Sequence, residues 1–151
     1  MKLFSHLRVS SEFSITQGLL TIDQIVDNAV ENSVPSVALT DKSNMFGLVK
    51  FFNKCESAGI KPISGSSIRL IFEDDDISYE LLCLAKTNNG HRNLMKIISN
   101  AHNNNSFNLP IIKFNDLIKL KDDIVVISGG KGSHIFESVS YTHLRAHETT
   151  D

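Results

Sequence analysis

The hydrophobic positions of this chain switch between the spacing of strands and the spacing of helices. An apolar run at residues 3–9 is followed by apolar positions with a helical period over residues 22–31, and then by a second apolar run at residues 36–40. Thr21 and Gln24 have the spacing of a capping box, which predicts that the first helix begins directly after Thr21. A strand–helix–strand unit of this kind predicts that its two strands pair in parallel.

The spacing of hydrophobic positions also predicts the elements in the rest of the chain. It indicates a helix over residues 46–57, ended by Gly59, and strands at residues 60–64, 67–72 and 77–85. A turn at residues 88–90 should lead into another helix, and a short strand at residues 110–113 should precede a helical turn capped by Asn115. Residues 124–127 are expected to form a buried strand. Alternating strands and helices of this length predict an α/β domain.

Composition narrows the class of protein. The chain has 151 residues, of which 41% are hydrophobic, and a formal net charge of -2. This length is enough for one domain with a core, and the charge does not favour non-specific nucleic-acid binding. No apolar run is long enough to cross a membrane, and no signal peptide is recognisable. Cys55 and Cys83 are too few for a disulfide framework, so we expect buried free thiols in a cytoplasmic protein.

Residues 138–151 break the pattern. They have no hydrophobic period, and they look like one reading frame of a sequencing-library adapter. We therefore expect a non-native tail at 138–151 and an incomplete domain at 1–137, so that the natural protein continues further. On this interpretation His143 and His147 do not form a metal site.

Candidate chemistry lies where predicted strands end. Three segments, at residues 6–8, 40–41 and 65–67, lie at the C-terminal ends of predicted strands, which is where α/β sheets place their functional groups. His6 is either the first ligand of a metal centre or an ordinary packed histidine. The four acids at residues 73–76 suit a solvated hairpin tip better than a cation site. Gly129 and Gly130 allow close backbone approach but are weak support for a phosphate cradle.

Five segments, taken in order, resemble a known family. They are HLRVSSEFS at residues 6–14, ALTD at 38–41 with the following NxxGLVKF, AGIKPISG at 58–65, LA with NG and NL at 84–94, and VISGG at 126–130. This order resembles the PHP domain (polymerase and histidinol phosphatase domain) at the N-terminus of bacterial DNA polymerase III alpha subunits. The resemblance covers about residues 3–132. It implies the N-terminal part of a distorted, truncated (βα)7 barrel.

The resemblance also implies a metal-ligand set, which this chain has largely lost. Metal-binding members carry His-Leu-His-x-His in the first motif and Thr-Asp-His in the second, with a glutamate and a further histidine later. Family ligands survive at His6 and Asp41, while the other positions hold Arg8, Ser10, Lys42, Ser67 and Glu80. Because Arg8 and Lys42 add positive charge where cations would bind, we expect a metal-free domain. An ion pair of Arg8 or Lys42 with Asp41 would take the place of the metal.

The family resemblance leads to two functional hypotheses. The first is an N-terminal fragment of a replicative DNA polymerase, with no catalytic residue of its own. Its domain would be a structural platform and a docking site for the proofreading exonuclease subunit. The remaining polymerase domains would be its other partners, and they would hold the palm Mg²⁺ and contact the DNA. The alternative is a stand-alone, metal-dependent phosphoesterase of the histidinol-phosphatase type, which needs the intact ligand set.

Overall fold

The computed structural model describes residues 4–15, 17–72, 77–103 and 109–128. These residues form one mixed sheet with helices packed against it, which confirms the predicted α/β class. The strands are β1 (Ser36–Leu39), β2 (Lys61–Ile71), β3 (Ser78–Ala85), β4 (Ile111–Lys113) and β5 (Ile124–Ser128). The helices are α1 (Ile22–Glu31), α2 (Leu48–Ser57), α3 (Asn88–Asn103) and α4 (Phe114–Lys119).

Strand β2 is the centre of the sheet. One of its edges pairs in parallel with β1 near its start and with β4 near its end, and the other edge pairs antiparallel with β3, which in turn pairs with β5. The prediction of two separate strands at residues 60–64 and 67–72 is therefore wrong. The small residues at positions 64–67 interrupt the hydrophobic pattern, but their backbone still takes part in the ladders on both sides.

The opening segment is extended but is not a regular strand, so the strand predicted at residues 3–9 is also corrected. A single parallel bridge joins His6 to Val37, and the Ala38 amide donates to the His6 carbonyl at 2.9 Å. Further along, the Thr40 amide donates to the Val9 carbonyl at 2.8 Å. The segment thus runs beside β1 in the predicted parallel direction, through a few hydrogen bonds only.

The ends of α1 and α2 follow the sequence signals closely. The Thr21 hydroxyl accepts from the Gln24 amide at 3.3 Å and the Gln24 side chain accepts from the Thr21 amide at 2.9 Å, so the capping box is confirmed. Helix α2 begins two residues later than predicted, at Leu48, and its C-cap is Ala58. Gly59 follows with a φ of 70°, as expected for the residue after a C-cap.

Two later helices begin earlier than predicted. Residues 88–90, predicted as a turn, are the first turn of α3. Helix α4 begins at Phe114 with Lys113 as its N-cap, so Asn115 lies inside the helix and is not its cap. Both helices begin directly beside other elements, and such tertiary contacts select helix starts that local turn signals do not show.

The core lies mainly between the helices and one face of the sheet. Helices α1 and α2 cover the β1 end, and α3 covers the part formed by β2, β3 and β4. A smaller cluster of Ala38, Leu82 and Leu84 lies on the other face. Strand β5 was predicted to be buried, but Val125 and Val126 are 39% and 45% exposed. That prediction is wrong, because within the described ranges β5 pairs only with β3.

Several predictions fall outside the described residues. These are the acidic run at residues 73–76, the glycine pair at 129–130, and the tail at 138–151 with the domain boundary at residue 137. Over the part of the chain that is described, the longest and most apolar helices still fall short of what a membrane crossing requires.

Candidate functional site

Four of the predicted site residues, Asp41, Lys42, Ser67 and Glu80, meet at the end of the sheet where β1 stops. Residues 41–43, which follow β1, continue along β2: the Ser67 amide donates to the Asp41 carbonyl at 3.1 Å and the Ser43 amide to the Ser67 carbonyl at 2.7 Å. Lys42 forms an isolated parallel bridge with Ser67. Glu80 of β3 lies next to Ser67 across the sheet. The segment after β1, the middle of β2 and the start of β3 therefore lie side by side, although they are distant in the sequence.

Asp41 is buried at this location and satisfied by neutral donors. Its side chain Oδ1 accepts from the Ser11 amide at 2.7 Å and from the Ser14 hydroxyl at 2.6 Å, and Oδ2 accepts from the Ser11 hydroxyl at 2.7 Å. Only 1% of the residue is exposed. The Asp41 carboxylate thus holds the loop at residues 11–14 against the end of β1.

The predicted ion pair of Arg8 or Lys42 with Asp41 is wrong. No ion pair found among the described residues involves Asp41, since Ser11 and Ser14 supply donors to both of its oxygens. The backbone amide of Lys42 instead donates to the Ser14 hydroxyl at 3.0 Å.

Arg8 pairs with Glu80 instead. Its guanidinium donates to Glu80 Oε1, and the Ser67 hydroxyl donates to the same oxygen at 2.6 Å. All three residues are among those that the family resemblance places at metal-ligand positions. One carboxylate and one guanidinium therefore neutralise each other there, within a partly exposed site.

The other two predicted positions make smaller contributions. The His6 ring is exposed and contacts the Phe4 ring edge-on, with the centroids 4.7 Å apart and an interplanar angle of 89°. Ser10 is half-buried. His6 is therefore a surface residue with an aromatic contact. Neither of the two alternatives left open for it, a first metal ligand or an ordinary packed histidine, describes it fully.

Sequence reasoning missed the residues that support Asp41. Besides Ser11 and Ser14, the Ser66 hydroxyl donates to the Asp41 carbonyl at 2.7 Å, and the Asn44 amide nitrogen donates to the carbonyls of Phe13 and Lys42. Each buried polar side-chain atom of the described residues has a partner. The one available signal was the unusual number of small hydroxyl residues next to each predicted strand end.

These residues do not fit the divalent-metal cluster that the resemblance implies. Within the described part of the chain, no group of three His, Cys, Asp or Glu side chains is placed to hold a metal ion. Asp41 already accepts three hydrogen bonds, and the charge of Glu80 is balanced by Arg8. A bound cation would have to displace these donors and approach a fixed positive charge, which is unfavourable. That the protein is metal-free stays a prediction.

The cysteines offer no nucleophile. Both are free and buried, as predicted. Burial raises the pKa of the Cys55 thiol to about 11 and that of the Cys83 thiol to about 12. Because the thiolate is the reactive form, both side chains are chemically inert near neutral pH.

A cavity of about 450 Å³ lies beside the Asp41 loop. Its wall combines apolar and charged residues from several elements. The apolar ones are Phe13, Ile15, Phe46, Leu109 and Pro110, and the others are Glu12, Lys42, Ser43, Asn44, Arg69 and His102. The His102 ring nitrogen Nε2 lies 2.8 Å from the Ser43 carbonyl oxygen and donates to it.

A larger groove of about 850 Å³ lies away from these residues. It is lined by the starts of β1 and β2, by α2 and by the start of α3, and none of the predicted site residues contributes to it. The Ser64 hydroxyl and His91 Nδ1 are 3.0 Å apart in its wall.

Comparison with known proteins decides the family. The family model described as "PHP domain" matches residues 6–149. This chain belongs to the PHP domain family. The resemblance of its five segments to the PHP family is thereby confirmed.

The PHP chain is also similar to DNA polymerase III alpha subunits. It is 33% identical over 141 residues to the subunit of Pasteurella multocida, 36% over 135 residues to that of Vibrio cholerae, and 35% over 139 residues to that of Escherichia coli K12. These alignments cover 93%, 87% and 90% of this chain. The chain spans 12% of the length of each of these relatives.

Two solved structures share the fold of this PHP domain. One, from Bifidobacterium adolescentis, is described as a metal-dependent phosphoesterase and gives a TM-score of 0.50 at 21% identity, over 66% of this chain and 32% of its own. The other is an amidohydrolase from Chromobacterium violaceum with bound sulfate and no metal, with a TM-score of 0.52 at 19% identity, over 67% and 33%. At these identities the likeness concerns the fold alone, and it agrees with a partial PHP-type barrel.

Proposed function

We propose that this chain is the N-terminal PHP domain of a DNA polymerase III alpha subunit, and that the domain itself has no catalytic activity. The similarity to alpha subunits over most of the chain supports the first part. The observation that supports the second is that Arg8 and Ser67 both donate to Glu80, at three positions where the resemblance implies metal ligands. A guanidinium carries its own positive charge and therefore replaces a cation without recruiting one.

The parent protein is, on this proposal, a DNA-directed DNA polymerase of the cytoplasm. Its Mg²⁺-binding palm aspartates lie in other domains, so no residue of this chain extends a primer. Those domains are the first partners of the PHP domain, and DNA is bound through them. The formal net charge of -2 does not favour non-specific nucleic-acid binding by the PHP domain itself.

Within that polymerase, the domain is a structural platform. The hydrogen bonds of Asp41 join the opening segment to β1, and the Arg8–Glu80 pair joins the same segment to β3. A platform held together in this way needs no metal for its shape. By the family resemblance, we also assign to it the docking of the proofreading exonuclease subunit.

The docking assignment is tested with the full-length alpha subunit. Surface plasmon resonance with the purified exonuclease subunit should show saturable binding, and deletion of residues 1–128 should abolish it. Unchanged binding by the deleted protein would place the docking site elsewhere and reject the assignment. The deleted protein must still extend a primed template, which shows that its polymerase domains remain folded.

The absence of catalysis is tested on the same full-length protein. We expect no stoichiometric zinc, manganese or iron by inductively coupled plasma mass spectrometry. We also expect no hydrolysis of bis-p-nitrophenyl phosphate that depends on His6, so His6→Ala and the exposed-residue control Glu31→Ala should behave alike. Bound metal together with an activity that only His6→Ala removes would contradict the proposal.

The alternative is a stand-alone, metal-dependent phosphoesterase. The observation in its favour is the shared fold with the Bifidobacterium adolescentis protein described by that activity. The replaced ligand positions oppose it, because Arg8 and Lys42 place positive charge where such an enzyme binds metal. The metal and hydrolysis measurements separate the two hypotheses.

A further inference from the structure

Cationic side chains lie close to one another at the end of the sheet where β1 stops. Three cationic side chains, Arg8, Lys42 and Arg69, lie on the segments that meet there. Arg8 is balanced by Glu80. Within the described ranges, neither Lys42 nor Arg69 belongs to an ion pair. Where the family resemblance implies cation binding, the described residues thus present cationic side chains of their own.

Lys42 and Arg69 line one shared space. Both contribute to the wall of the 450 Å³ cavity beside the Asp41 loop. They come from different elements, since Lys42 follows β1 and Arg69 lies in β2. Both side chains are half-buried, so that the cavity wall partly removes them from water. Charge–charge interactions are stronger in such a partly desolvated space than on an open surface.

The acidic group of the cavity does not cancel this charge. Glu12 is the one carboxylate among the described residues that line the cavity. Its charge also acts on Lys50 outside the cavity: the hydrogen bond with Asp23 is the main cause that raises the pKa of Lys50, and the charge of Glu12 is the smallest. Lys42 and Arg69 are two cations against this single carboxylate, so the described cavity wall carries a net positive charge.

The aromatic residues of the cavity wall favour an anion that is attached to a planar ring. Phe13 and Phe46 present aromatic rings to the cavity, and Phe46 is 76% exposed although it is a large apolar residue. Exposed aromatic rings beside cationic groups are the usual way in which proteins hold a base and its phosphate. A volume of 450 Å³ lies within the range typical of small-ligand pockets.

We propose that this cavity binds a nucleoside monophosphate, with its phosphate at Lys42 and Arg69 and its base against Phe13 and Phe46. A phosphate monoester carries nearly two negative charges and three acceptor oxygens, and it can satisfy both cations at once. A peptide carboxylate offers fewer acceptor oxygens and no planar base for the aromatic rings of Phe13 and Phe46. The ligand is free nucleotide or the terminal nucleotide of a single strand, and both offer the same chemical groups. This binding involves no chemical step and does not depend on the proposed polymerase parent.

The test is isothermal titration calorimetry on the full chain. The probes are dAMP, deoxyadenosine, inorganic phosphate, a 5′-phosphorylated trinucleotide and a short acidic peptide containing phenylalanine. We expect saturable binding of dAMP, at least tenfold weaker binding of inorganic phosphate, and none of deoxyadenosine. Binding of the trinucleotide at least as tight as that of dAMP would identify a strand end as the source, and weaker binding would identify free nucleotide.

Variants locate the site. Lys42→Ala and Arg69→Gln should each weaken dAMP binding about tenfold, as expected when one charge-assisted contact is lost. Lys96→Ala and Arg92→Gln are the matched controls, because both residues are exposed on α3 and line none of the cavities described above. Circular dichroism establishes that each variant retains the wild-type fold before its affinity is compared.

Four results would overturn the proposal. They are no binding of dAMP by the folded chain, equal affinity for dAMP and inorganic phosphate, dAMP affinity unchanged in both cavity variants, and tighter binding of the acidic peptide than of dAMP. If a cavity variant loses its fold, backbone amide shifts of residues 42–46 and 69 on addition of dAMP to the wild-type chain decide instead. Shifts there support the site and their absence rejects it.

Discussion

At Asp41, a carboxylate that is 1% exposed accepts three hydrogen bonds from Ser11 and Ser14. Hydrogen bonds to a charged acceptor are each worth about 1.5–3 kcal/mol, and several are needed to offset the cost of removing a carboxylate from water. Arg8 and Glu80 sit in a more exposed setting, where an ion pair contributes at most about 1 kcal/mol. At the scale of single residues, Asp41 therefore matters more for stability than the charge pair beside it.

Replacing Asp41 by alanine should destabilise the fold by about 3 kcal/mol. The change leaves the buried hydroxyls of Ser11 and Ser14 and one backbone amide without their acceptor. The free energy of unfolding is measured by urea denaturation of the two proteins. Asp27→Ala is the control: this exposed residue pairs with Lys54 at 3.4 Å, so its loss should cost less than about 1 kcal/mol. Equal effects of the two substitutions would contradict the assignment.

The Cys83 thiol makes stability fall at alkaline pH. Its pKa is about 12 in the folded chain and near the ordinary value of 9.0 in the unfolded one. Above pH 9 the unfolded state releases this proton and the folded state keeps it, so folding stability declines; below pH 9 the thiol has no effect on the pH dependence.

Between pH 9 and pH 10, the Cys83 thiol should lower the free energy of unfolding by about 1 kcal/mol. Urea denaturation at pH 8, 9 and 10 measures it, and Cys83→Ala should show a correspondingly shallower decline. A decline of the same steepness in wild type and variant would show that other groups, such as lysines, cause it.

At the scale of elements, the start of α3 is attached to the loop before β5. The Asp123 carbonyl accepts from the Lys86 amide at 2.8 Å, and the side chain of Asn89 donates to the Asp123 carboxylate at 3.1 Å. Asn93 donates to the Asp122 carbonyl at 3.1 Å. A Cβ atom on Gly90 would lie 2.1 Å from the Asp123 carbonyl oxygen. The matched Asn-Gly and Asn-Leu pairs of the family resemblance therefore include residues that join two elements.

Gly90→Ala tests this junction. In an isolated helix, alanine is more favourable than glycine by up to about 1 kcal/mol. Here we expect the opposite sign, a loss of about 2 kcal/mol, because the added methyl group must push the loop away from α3. Thermal denaturation gives the comparison, with Asn100→Ala on the exposed face of α3 as the control. If Gly90→Ala stabilised the protein, the loop before β5 would have to move away from the added methyl group at little cost.

At the scale of the whole molecule, the described residues bring no three His, Cys, Asp or Glu side chains together where they could hold a metal ion. The helix-covered face of the sheet contains two large hydrophobic clusters. At the end where the resemblance implies a metal site, serine hydroxyls and one ion pair satisfy the carboxylates instead. Because proteins that need a structural metal unfold when it is removed, the tolerance of this fold to chelators is informative.

We expect EDTA to leave the melting temperature unchanged to within about 1 °C. Added Zn²⁺ or Mn²⁺ at micromolar concentration should likewise have no effect, because a ligand stabilises the native state only by binding it. Differential scanning calorimetry of the full chain measures both. A rise of several degrees with either ion, reversed by EDTA, would reveal a metal site that the described residues do not form.

Local signals in the sequence were sufficient for the elements that depend on near neighbours. The capping box of Thr21 and Gln24, the extent of β1 and the position of Gly59 after α2 all follow from residues a few positions apart. The buried state of both cysteines could also be predicted, and the ordered motifs were enough to identify the PHP family.

The contacts of the site needed the tertiary structure. Asp41 bonds to residues 27 and 30 positions away, and Arg8 to a residue 72 positions away. The sequence identified these residues as one group but paired Arg8 or Lys42 with Asp41, because opposite charges suggested it. Only the folded chain shows that two serines reach the carboxylate first. It also shows that β2 is continuous and that β5 is exposed, since pairing across the sheet decides both and no local pattern encodes it.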